Sequence, residues 1–337
     1  MKYLKYLTLL MLLSCSCKHE PVNPVPDQSE FAKGADISWV TQMEKEGALF
    51  YDSQGVKTDC FALMKSLGMN TIRLRVWVNP ADGWNSKEDV LSKAKRANDI
   101  GMELMIDFHY SDSWADPGKQ NKPDAWKSLD MKGLKSAITT HTRDVLNSLK
   151  ANNISPKWIQ IGNETTNGML WDDGMASKSM KNYAELNNAG YYAAKEVFPE
   201  AKVMIHIDNG WNKEQYKWLL TGIAEYGARY DMIGMSLYPD SDNWKVLNIQ
   251  CIENVNYVSS TFSTTVMICE VGMSWDKASE CKAFLSDLIY RAKNETNGKC
   301  LGVLYWEPEG YVNWSHYTKS AFDNSGKPTI ALDAFKN

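Results

Sequence analysis

The stretch Thr71-Ile-Arg-Leu-Arg-Val-Trp77 is a short apolar run of strand length, and it opens a unit that recurs along the chain. A segment whose apolar residues recur at helical spacing follows at Val90 to Ile100. A second strand-length run then follows at Glu103-Leu-Met-Ile-Asp-Phe-His109. Ser86, with Asp89 three residues later, has the capping-box pattern of a helix start. Strand, helix and strand in this order predict two parallel strands joined by a helix.

The same alternation extends in both directions from this unit. Six further runs of strand length occur, at residues 34–39, 158–162, 202–208, 232–238, 265–270 and 301–306. Eight near-continuous apolar strands that alternate with helices favour a closed parallel barrel over an open doubly wound sheet. An open dinucleotide-binding sheet would also need a glycine-rich turn after its first strand, which this sequence lacks. We therefore predict an α/β protein with a single (β/α)8 TIM barrel over residues 31–337, where no linker-like break occurs.

The first thirty residues have the features of an export signal and a spacer. Lys2 and Lys5 precede an apolar run at residues 6–13, which is too short to span a bilayer and is typical of a secretory signal. Leu12-Leu-Ser-Cys15 then resembles the bacterial lipobox, in which the cysteine receives lipid. We expect residues 1–17 to be a lipoprotein signal with its lipidation site at Cys15, and the proline-containing residues 18–30 to be a tether. The interpretation predicts an exported lipoprotein, anchored in the outer membrane or at the cell surface.

The composition excludes one class of partner and suggests another. The net charge of −4 over 337 residues comes without the basic stripe that nucleic-acid binding requires, so we expect no nucleic-acid partner. The 13 tryptophans outnumber the 9 phenylalanines, and eleven of them lie at the carboxyl ends of proposed strands or in the connections that follow. Barrel enzymes build their sites on that face, and aromatic faces beside polar groups suit sugars. We expect a sugar-binding cleft in a monomeric protein.

Polar and charged residues collect at the same strand ends. They are Asp36, Arg73 or Arg75, Asp107, His109, Asn163, Glu164, His206, Asp208, Tyr238, Glu270 and Glu307. Glycoside hydrolysis needs two carboxyl groups, one that protonates the leaving oxygen and one that attacks or activates water. The pattern does not settle which two glutamates form this pair: Glu164 and Glu270 lie on the fourth and seventh strands, and Glu307 on the eighth is a third candidate. With five histidines and no His-x-His motif we expect no catalytic metal, and no Gly-x-Ser-x-Gly motif or phosphate-binding glycine loop is present.

Five segments of the chain resemble the arabinogalactan endo-β-1,4-galactanases of glycoside hydrolase family 53. They are Lys33-Gly-Ala-Asp-Ile-Ser38, Asn70-Thr-Ile-Arg-Leu-Arg-Val-Trp-Val-Asn-Pro80, Asp107-Phe-His-Tyr-Ser-Asp-Ser-Trp-Ala-Asp-Pro-Gly-Lys-Gln120, Ile159-Gln-Ile-Gly-Asn-Glu-Thr-Thr-Asn-Gly-Met169 and Tyr305-Trp-Glu-Pro308. The resemblance covers the chain from about residue 31 to the carboxyl terminus. It implies a retaining hydrolase of β-1,4-galactosidic bonds in galactan, with Glu164 as acid/base and Glu270 as nucleophile. It also implies that Asn163 binds the 2-hydroxyl of the sugar, and it makes Glu307 the weaker candidate.

Other residues at the rim are assigned supporting roles. We expect an arginine to keep the nucleophile ionised, and we rank Arg75 ahead of Arg73 because it lies nearer the end of the strand. Tyr238 can donate a hydrogen bond to the same carboxylate. A raised pKa should keep the acid/base Glu164 protonated, through its carboxylate neighbour and aromatic walls. The predicted substrate contacts are Asp36, His109, Asp112, Trp114 and Trp306.

The loop after the seventh strand departs from the pattern of the family. Some members carry a long loop there that contributes to a calcium site, whereas Glu270-Val-Gly-Met-Ser-Trp-Asp-Lys-Ala-Ser-Glu-Cys281 passes quickly into a helix without an acidic cluster. We therefore expect no calcium site in the seventh loop and no cofactor. Five cysteines fall in the folded part with pairing left open: Cys60, Cys251, Cys269, Cys281 and Cys300.

Two alternative functions remain open at this stage. One is another endo-β-glycanase of the same clan, acting on mannan, xylan or glucan. The other is a surface glycan-binding protein that kept the barrel and lost hydrolysis, against which the presence of both Glu164 and Glu270 argues.

Overall fold

A computed structural model describes residues 31–336 of the chain. The predicted signal over residues 1–17, the lipidation site at Cys15 and the tether over residues 18–30 lie outside the described residues. From Ala32 onward the chain forms one compact unit. In the described part, no helix combines the length and the apolar composition needed to cross a membrane.

Eight parallel strands close into a barrel in which each strand pairs with its neighbours in sequence and β8 pairs with β1. The strands are β1 Ala32–Asp36, β2 Thr71–Val76, β3 Glu103–Phe108, β4 Trp158–Ile161, β5 Lys202–Ile207, β6 Met232–Leu237, β7 Thr265–Val271 and β8 Cys300–Trp306. Almost every residue in them is buried, because helices cover the outside and side chains fill the inside. The predicted (β/α)8 TIM barrel is confirmed.

Eight α-helices connect the strands. They are α1 Val40–Lys45, α2 Cys60–Ser66, α3 Lys87–Asp99, α4 Met131–Lys150, α5 Met180–Val197, α6 Lys213–Ala224, α7 Trp244–Phe262 and α8 Ala278–Asn294. The Ser86 side chain accepts a hydrogen bond from the Asp89 amide, so the predicted cap of α3 is formed. A 3₁₀ helix, Ile330–Phe335, packs against α8 after the last strand.

The floor of the barrel is apolar. Its cluster consists of Ala32, Met105, Trp158, Met204, Met232, Met267, Cys269 and Leu304. Gly234 makes room for this packing, since a Cβ there would lie 2.5 Å from the Met204 sulfur. The five cysteines of the described part are free and buried.

The register between β6 and β7 shifts just below the rim of the barrel. Met235 pairs with Ile268, but the next residue, Ser236, pairs with Glu270, so Cys269 is an extra residue on β7. Strict alternation would point Cys269 inward and Glu270 outward. The irregularity lets both reach the interior: Cys269 joins the floor, and Glu270 contacts side chains from β2 and β6.

Candidate active site

Glu164 and Glu270 meet across the mouth of the barrel. Glu164 follows β4 with a backbone φ of +45°, a left-handed conformation that is uncommon for a residue with a side chain. Glu270 lies in β7 and is 4% exposed. A carboxylate oxygen of one lies within 4.8 Å of a carboxylate oxygen of the other. This proximity matches the roughly 5 Å separation of carboxyl groups in retaining glycosidases.

An open cavity of about 410 Å³ gives access to both glutamates. Its other lining residues are Trp114, Asp116, Tyr238, Trp306, Tyr317 and Lys319. The lining therefore combines carboxylates with aromatic side chains, as a sugar-binding cavity requires. Of the predicted site residues, Glu164, Glu270, Trp114, Tyr238 and Trp306 lie together here.

Arg73 is the cation beside Glu270, which corrects the ranking of Arg75 ahead of it. A nitrogen of the buried Arg73 guanidinium lies 2.8 Å from Glu270, and the same group contacts Asp36 and Asp107 at 2.9 Å each. Residues two apart on a strand share a face, so both arginines point into the barrel. Arg73 lies two residues closer to the floor of the barrel than Arg75, at the level of the carboxylates. The planar guanidinium of an arginine can bond to several acceptors at once.

Arg75 instead supports the aromatic wall. Its guanidinium forms a buried ion pair with Glu307 and lies 4.4 Å from the centre of the Trp114 ring. It also lies within about 6 Å of Trp39, Trp77 and Trp306. Glu307 is fully buried and accepts a hydrogen bond from the Trp39 amide. The arrangement assigns Arg75 and Glu307 to the support of Trp114 and Trp306.

The amide of Asn163 is held in one orientation. Its Oδ1 accepts from Arg73 Nη2 at 3.0 Å, and its Nδ2 donates to the Ala115 carbonyl at 2.9 Å. Gln160 is oriented in the same way: its Oε1 accepts from Arg73 and its Nε2 donates to Asp107 at 2.6 Å. Arg73 therefore fixes two amides as well as the Glu270 carboxylate.

Glu164 receives a hydrogen bond from β6. Ser236 Oγ donates to Glu164 Oε1 at 2.7 Å, and the same hydroxyl lies 2.8 Å from His206 Nε2. Desolvation within the protein and the nearby Glu270 charge raise the pKa of Glu164 well above its ordinary value, although the Ser236 bond opposes the shift. The result is a carboxyl group that holds its proton at a pH where an exposed glutamate would lose it.

Glu270 is surrounded by donors and by other carboxylates. Burial raises its pKa to about 7, while Arg73 opposes the shift; the charges of Asp107 and Asp36 add to it. The Tyr238 hydroxyl donates to Glu270 Oε2 at 3.0 Å and also favours the ionised form. Of the two glutamates, Glu270 has the closer cation and is the one that ionises first.

Asp36 and His109, two of the predicted substrate contacts, bond to other side chains of the protein. Asp36 is fully buried and bonded to Arg73 and Ser38, so it does not face the cavity. His109 is 4% exposed, and its ring nitrogens bond to Asp107 and to the Trp77 indole. Neither residue lines the cavity that holds the two glutamates, so in this structure both support neighbouring side chains, and their contact with substrate stays a prediction.

Asp112 is also placed away from the glutamates. Its two oxygens accept hydrogen bonds from the backbone amides of Asn79 and Asp124. It lines a separate polar groove beside Trp171 and Lys122. In this structure Asp112 orders the third-strand loop, and its predicted contact with substrate stays a prediction.

The group Glu164, His206 and Glu270 has donor atoms close enough together to suggest a metal site. The donors are already used, since Arg73 pairs with Glu270 and Ser236 lies between Glu164 and His206. A guanidinium 2.8 Å from the carboxylate would also repel a bound cation. The arrangement fits proton and sugar transfer better than metal binding.

Several residues of the site are not identified by the sequence patterns described above. Gln160 and Ser236 are single polar residues in otherwise apolar strands, a signal that could have marked them as interior network residues. Tyr317 and Lys319 lie in the irregular segment after β8, where no periodicity points inward. The loop after β7, which the sequence predicts to be short, spans residues 272–277 before α8 begins at Ala278.

Comparison with known proteins places this site in a family. The model of glycosyl hydrolase family 53 matches residues 32–335. The chain belongs to glycosyl hydrolase family 53. It is therefore a glycoside hydrolase by family, with the barrel of that family.

Relatives with known names or structures cover nearly the whole family 53 barrel. A probable arabinogalactan endo-β-1,4-galactanase A from Neosartorya fischeri is 32% identical over 83% of this chain and 85% of its own. A solved fungal β-1,4-galactanase is 29% identical with a TM-score of 0.83, over 91% of this chain and 99% of its own. The family 53 catalytic domain from Ignisphaera aggregans is 29% identical with a TM-score of 0.82, over 93% and 98%.

Proposed function

We propose that this family 53 protein is an endo-acting hydrolase of β-1,4-galactosidic bonds in galactan and type I arabinogalactan. The observation that carries the proposal is the close approach of the Glu164 and Glu270 carboxyl groups in an aromatic cavity. Galactanases among the relatives support the choice of substrate. Retention of the anomeric configuration follows from the short separation, which leaves no room for a water between the second carboxylate and the sugar.

In the first step Glu270 Oε attacks the anomeric carbon while Glu164 gives its proton to the glycosidic oxygen. The carbon–oxygen bond to the leaving sugar breaks, and a covalent glycosyl ester forms on Glu270. Arg73 and Tyr238 keep Glu270 ionised before the attack, because both donate to its carboxylate. The raised pKa of Glu164 keeps its proton available.

In the second step Glu164 is the base. It takes a proton from a water molecule that attacks the same carbon, which releases Glu270 and restores the proton on Glu164. Asn163, whose amide orientation Arg73 fixes, is proposed to bind the sugar's 2-hydroxyl. Trp114 and Trp306 are proposed to stack on sugar faces, with Arg75 and Glu307 behind them.

A time course on linear β-1,4-galactan tests the activity, with mannan, xylan and glucan as alternative substrates. An endo enzyme releases a range of oligosaccharides early, and proton NMR of the first products gives the anomeric configuration. Glu270→Ala and Glu164→Gln should each lose several orders of magnitude in kcat. Glu225→Gln, which alters an exposed carboxylate at the end of α6, is the matched control.

An activated aryl galactoside separates the two roles. Glu164→Gln should retain part of its first step on this substrate, since a good leaving group needs little protonation, whereas Glu270→Ala should not. Near-normal turnover of galactan by Glu270→Ala would reject the nucleophile assignment. Cleavage of mannan, xylan or glucan in preference to galactan would favour the alternative endo-β-glycanase, and binding without any reducing-sugar release would favour a glycan-binding protein.

We also propose that the protein is an exported lipoprotein, anchored through lipid on Cys15 and tethered by residues 18–30. The support is the lysine-flanked apolar run and the lipobox-like Leu12-Leu-Ser-Cys15. The proposed location is the outer membrane or cell surface, where a monomer could meet a polysaccharide too large to enter the cell.

A further inference from the structure

A chain of hydrogen bonds runs from Glu164 back to the neighbouring Asn163 through two buried side chains. Ser236 Oγ lies 2.7 Å from Glu164 Oε1 and 2.8 Å from His206 Nε2. At the other side of the ring, His206 Nδ1 lies 2.9 Å from Asn163 Oδ1. Ser236 is 1% exposed and His206 is 0% exposed. The chain therefore joins the proposed acid/base to the proposed binding group of the 2-hydroxyl.

Each of the two middle members can donate or accept a hydrogen bond. A hydroxyl does both, and a neutral imidazole donates from one nitrogen and accepts at the other. A lysine or an amide nitrogen in place of Ser236 could only donate, and it would stabilise the carboxylate form of Glu164 alone. The proposed acid/base must pass through both forms in each catalytic cycle, so a link that can reverse suits it.

The surroundings of His206 Nδ1 favour neither tautomer outright. An acceptor, Asn163 Oδ1, lies at 2.9 Å, while two donors lie slightly farther away: Gln160 Nε2 at 3.1 Å and the Glu164 amide at 3.3 Å. The two amide side chains cannot simply flip, because Arg73 bonds to the oxygen of each. Nδ1 can therefore accept from two donors or donate to one nearer acceptor.

We propose that Ser236 and His206 form a reversible relay, in which the tautomer of His206 follows the protonation state of Glu164. The proposal rests on the acid/base role proposed above for Glu164. Ser236 and His206 are positioning residues here, since they act through Glu164 and Asn163.

With Glu164 ionised, Ser236 donates to its carboxylate and His206 donates from Nε2 to Ser236. Nδ1 then accepts from Gln160 and from the Glu164 amide. With Glu164 protonated, its O–H donates to Ser236, Ser236 donates to Nε2, and Nδ1–H donates to Asn163 Oδ1. The second form holds one more proton than the first, taken from solvent. Compared with the first form, the ring has lost the proton on Nε2 and gained one on Nδ1, and the carboxyl group has gained one.

The charges around the ring allow it to change tautomer but not to become cationic. Arg73 and His109 face it from β2 and the end of β3, Asp107 faces it from β3, and Glu270 Oε1 lies 4.0 Å from Nδ1. Burial, aided by Arg73, holds the pKa of His206 well below its ordinary value. The ring therefore stays neutral over the working pH range, and the position of its proton is what can change.

Nitrogen NMR of the full chain labelled with ¹⁵N-histidine tests the relay directly. The chain has five histidines, and the signals lost in His206→Gln identify the ring in question. We expect Nδ1 and Nε2 to exchange their protonated and unprotonated shifts as Glu164 titrates, with the ring neutral throughout. In Glu164→Gln the tautomer should no longer depend on pH. One unchanged tautomer across both limbs of the activity profile would overturn the proposal.

Ser236→Ala and Ser236→Thr provide a kinetic test. Without the hydroxyl both forms of Glu164 lose a hydrogen bond, but the ionised form loses the stronger, charge-assisted one, so the alkaline limb of kcat/KM should move upward by roughly half to one pH unit. Ser236→Thr keeps the hydroxyl and should return the limb toward the wild-type position. An alkaline limb that Ser236→Ala leaves in place would contradict the relay, whatever happens to kcat.

The outcomes for the relay and for the proposed function can be told apart. A fixed tautomer in an enzyme that cuts galactan and loses activity in Glu164→Gln rejects the relay and leaves the function standing. A tautomer that follows Glu164 in a protein without activity on galactan supports the relay and rejects the substrate. The NMR measurement on the wild type needs no variant that might misfold.

Discussion

Arg73 Nη2 lies 2.8 Å from Glu270 Oε1, at the point where a buried cation is needed to keep a carboxylate ionised. The same guanidinium also contacts Asp36 and Asp107, so it forms ion pairs with three carboxylates. The Arg73 side chain is completely buried. One cation among three anions leaves Glu270 with a raised pKa but still ionised before Glu164. This balance sets the first prediction.

Arg73→Lys should shift the acid limb of kcat/KM to higher pH and reduce kcat/KM roughly a hundredfold. A lysine presents a single ammonium group and cannot serve three carboxylates and two amides as the planar guanidinium does. The pKa of Glu270 then rises, and a higher pH is needed to ionise the nucleophile. Arg75→Lys is the matched control, because Arg75 pairs with Glu307 and should leave the acid limb in place. Equal shifts in both variants would argue against a specific role for Arg73.

The wild-type enzyme should have a bell-shaped pH profile with both limbs above the ordinary range of glutamate. The acid limb marks ionisation of Glu270, whose pKa is raised to about 7, and activity rises as pH increases through it. The alkaline limb marks loss of the proton from Glu164, whose pKa is raised further by the Glu270 charge. Initial rates on galactan at low substrate concentration give both limbs. An acid limb near 4.3, the value of an exposed glutamate, would contradict the assignment.

Trp306→Ala should raise KM for galactan about tenfold and change kcat less, because the indole lines the cavity and supplies an apolar face but no acid or base group. Its ring packs edge to face on Tyr317 at 4.8 Å, so the loss also loosens one wall of the cavity. Trp306→Phe should recover part of the affinity. Trp218→Ala removes an exposed indole on α6 and should leave both constants unchanged. A fall in kcat with unchanged KM in Trp306→Ala would exclude the proposed stacking of Trp306 on a sugar ring.

The barrel could be predicted from the sequence, because strand length and strand–helix alternation are local signals. The choice of Glu164 and Glu270 as the catalytic pair came from the resemblance to family 53 and stays a prediction. Seven strands agree with the predicted runs within one residue at each end, for example Thr71–Val76 against 71–77, whereas β1 is Ala32–Asp36 against 34–39. The roles of Arg73 and Arg75 could not be separated, since both face inward and only the depth of the carboxylates in the closed barrel decides between them. The inward direction of Glu270 depends on the irregularity at Cys269, which alternation does not reveal.

The contacts of three other residues depend on packing that the sequence does not show. Asp36 and His109 stand at strand ends, where substrate contacts are expected, but the closed barrel buries them beneath the cavity. Ser236 contacts the site through its hydrogen bond to Glu164, which joins two separate strands and is visible only in the folded barrel. A position at a strand end predicts that a residue belongs to the site. The packing of the barrel decides whether that residue lines the cavity or supports the residues that do.

Cys15→Ser should release the protein from the membrane while leaving the barrel active. The lipobox-like sequence makes the Cys15 thiol the expected point of attachment, and a serine cannot form the thioether. Fractionation of cells, with labelling by a fatty-acid analogue, measures attachment; activity on galactan in the soluble fraction measures folding. Cys17→Ser is the matched control, because this second cysteine lies two residues beyond the proposed lipidation site. A fatty-acid label that is still incorporated after Cys15→Ser would reject lipidation at Cys15.

Glu309→Gln should make stability less dependent on pH on the alkaline side. Glu309 is completely buried, and among the described residues no donor reaches either of its oxygens. Burial and the charge of Glu307 raise the pKa of Glu309 well above its ordinary value, so the folded protein keeps it protonated. The unfolded chain loses that proton near pH 4.3, so the folded state binds more protons and stability falls as pH rises above that value.

The size of the effect follows from the same proton difference. One proton contributes up to about 1.4 kcal/mol per pH unit to the slope of the unfolding free energy. Glutamine keeps the shape of the side chain but cannot ionise, so the variant should lose this part of the slope and exceed the wild type in stability at pH 8 to 9. Denaturant unfolding at several pH values measures it, with the exposed Glu225→Gln as control. Parallel stability curves for Glu309→Gln and the wild type would show that Glu309 is already ionised in the fold.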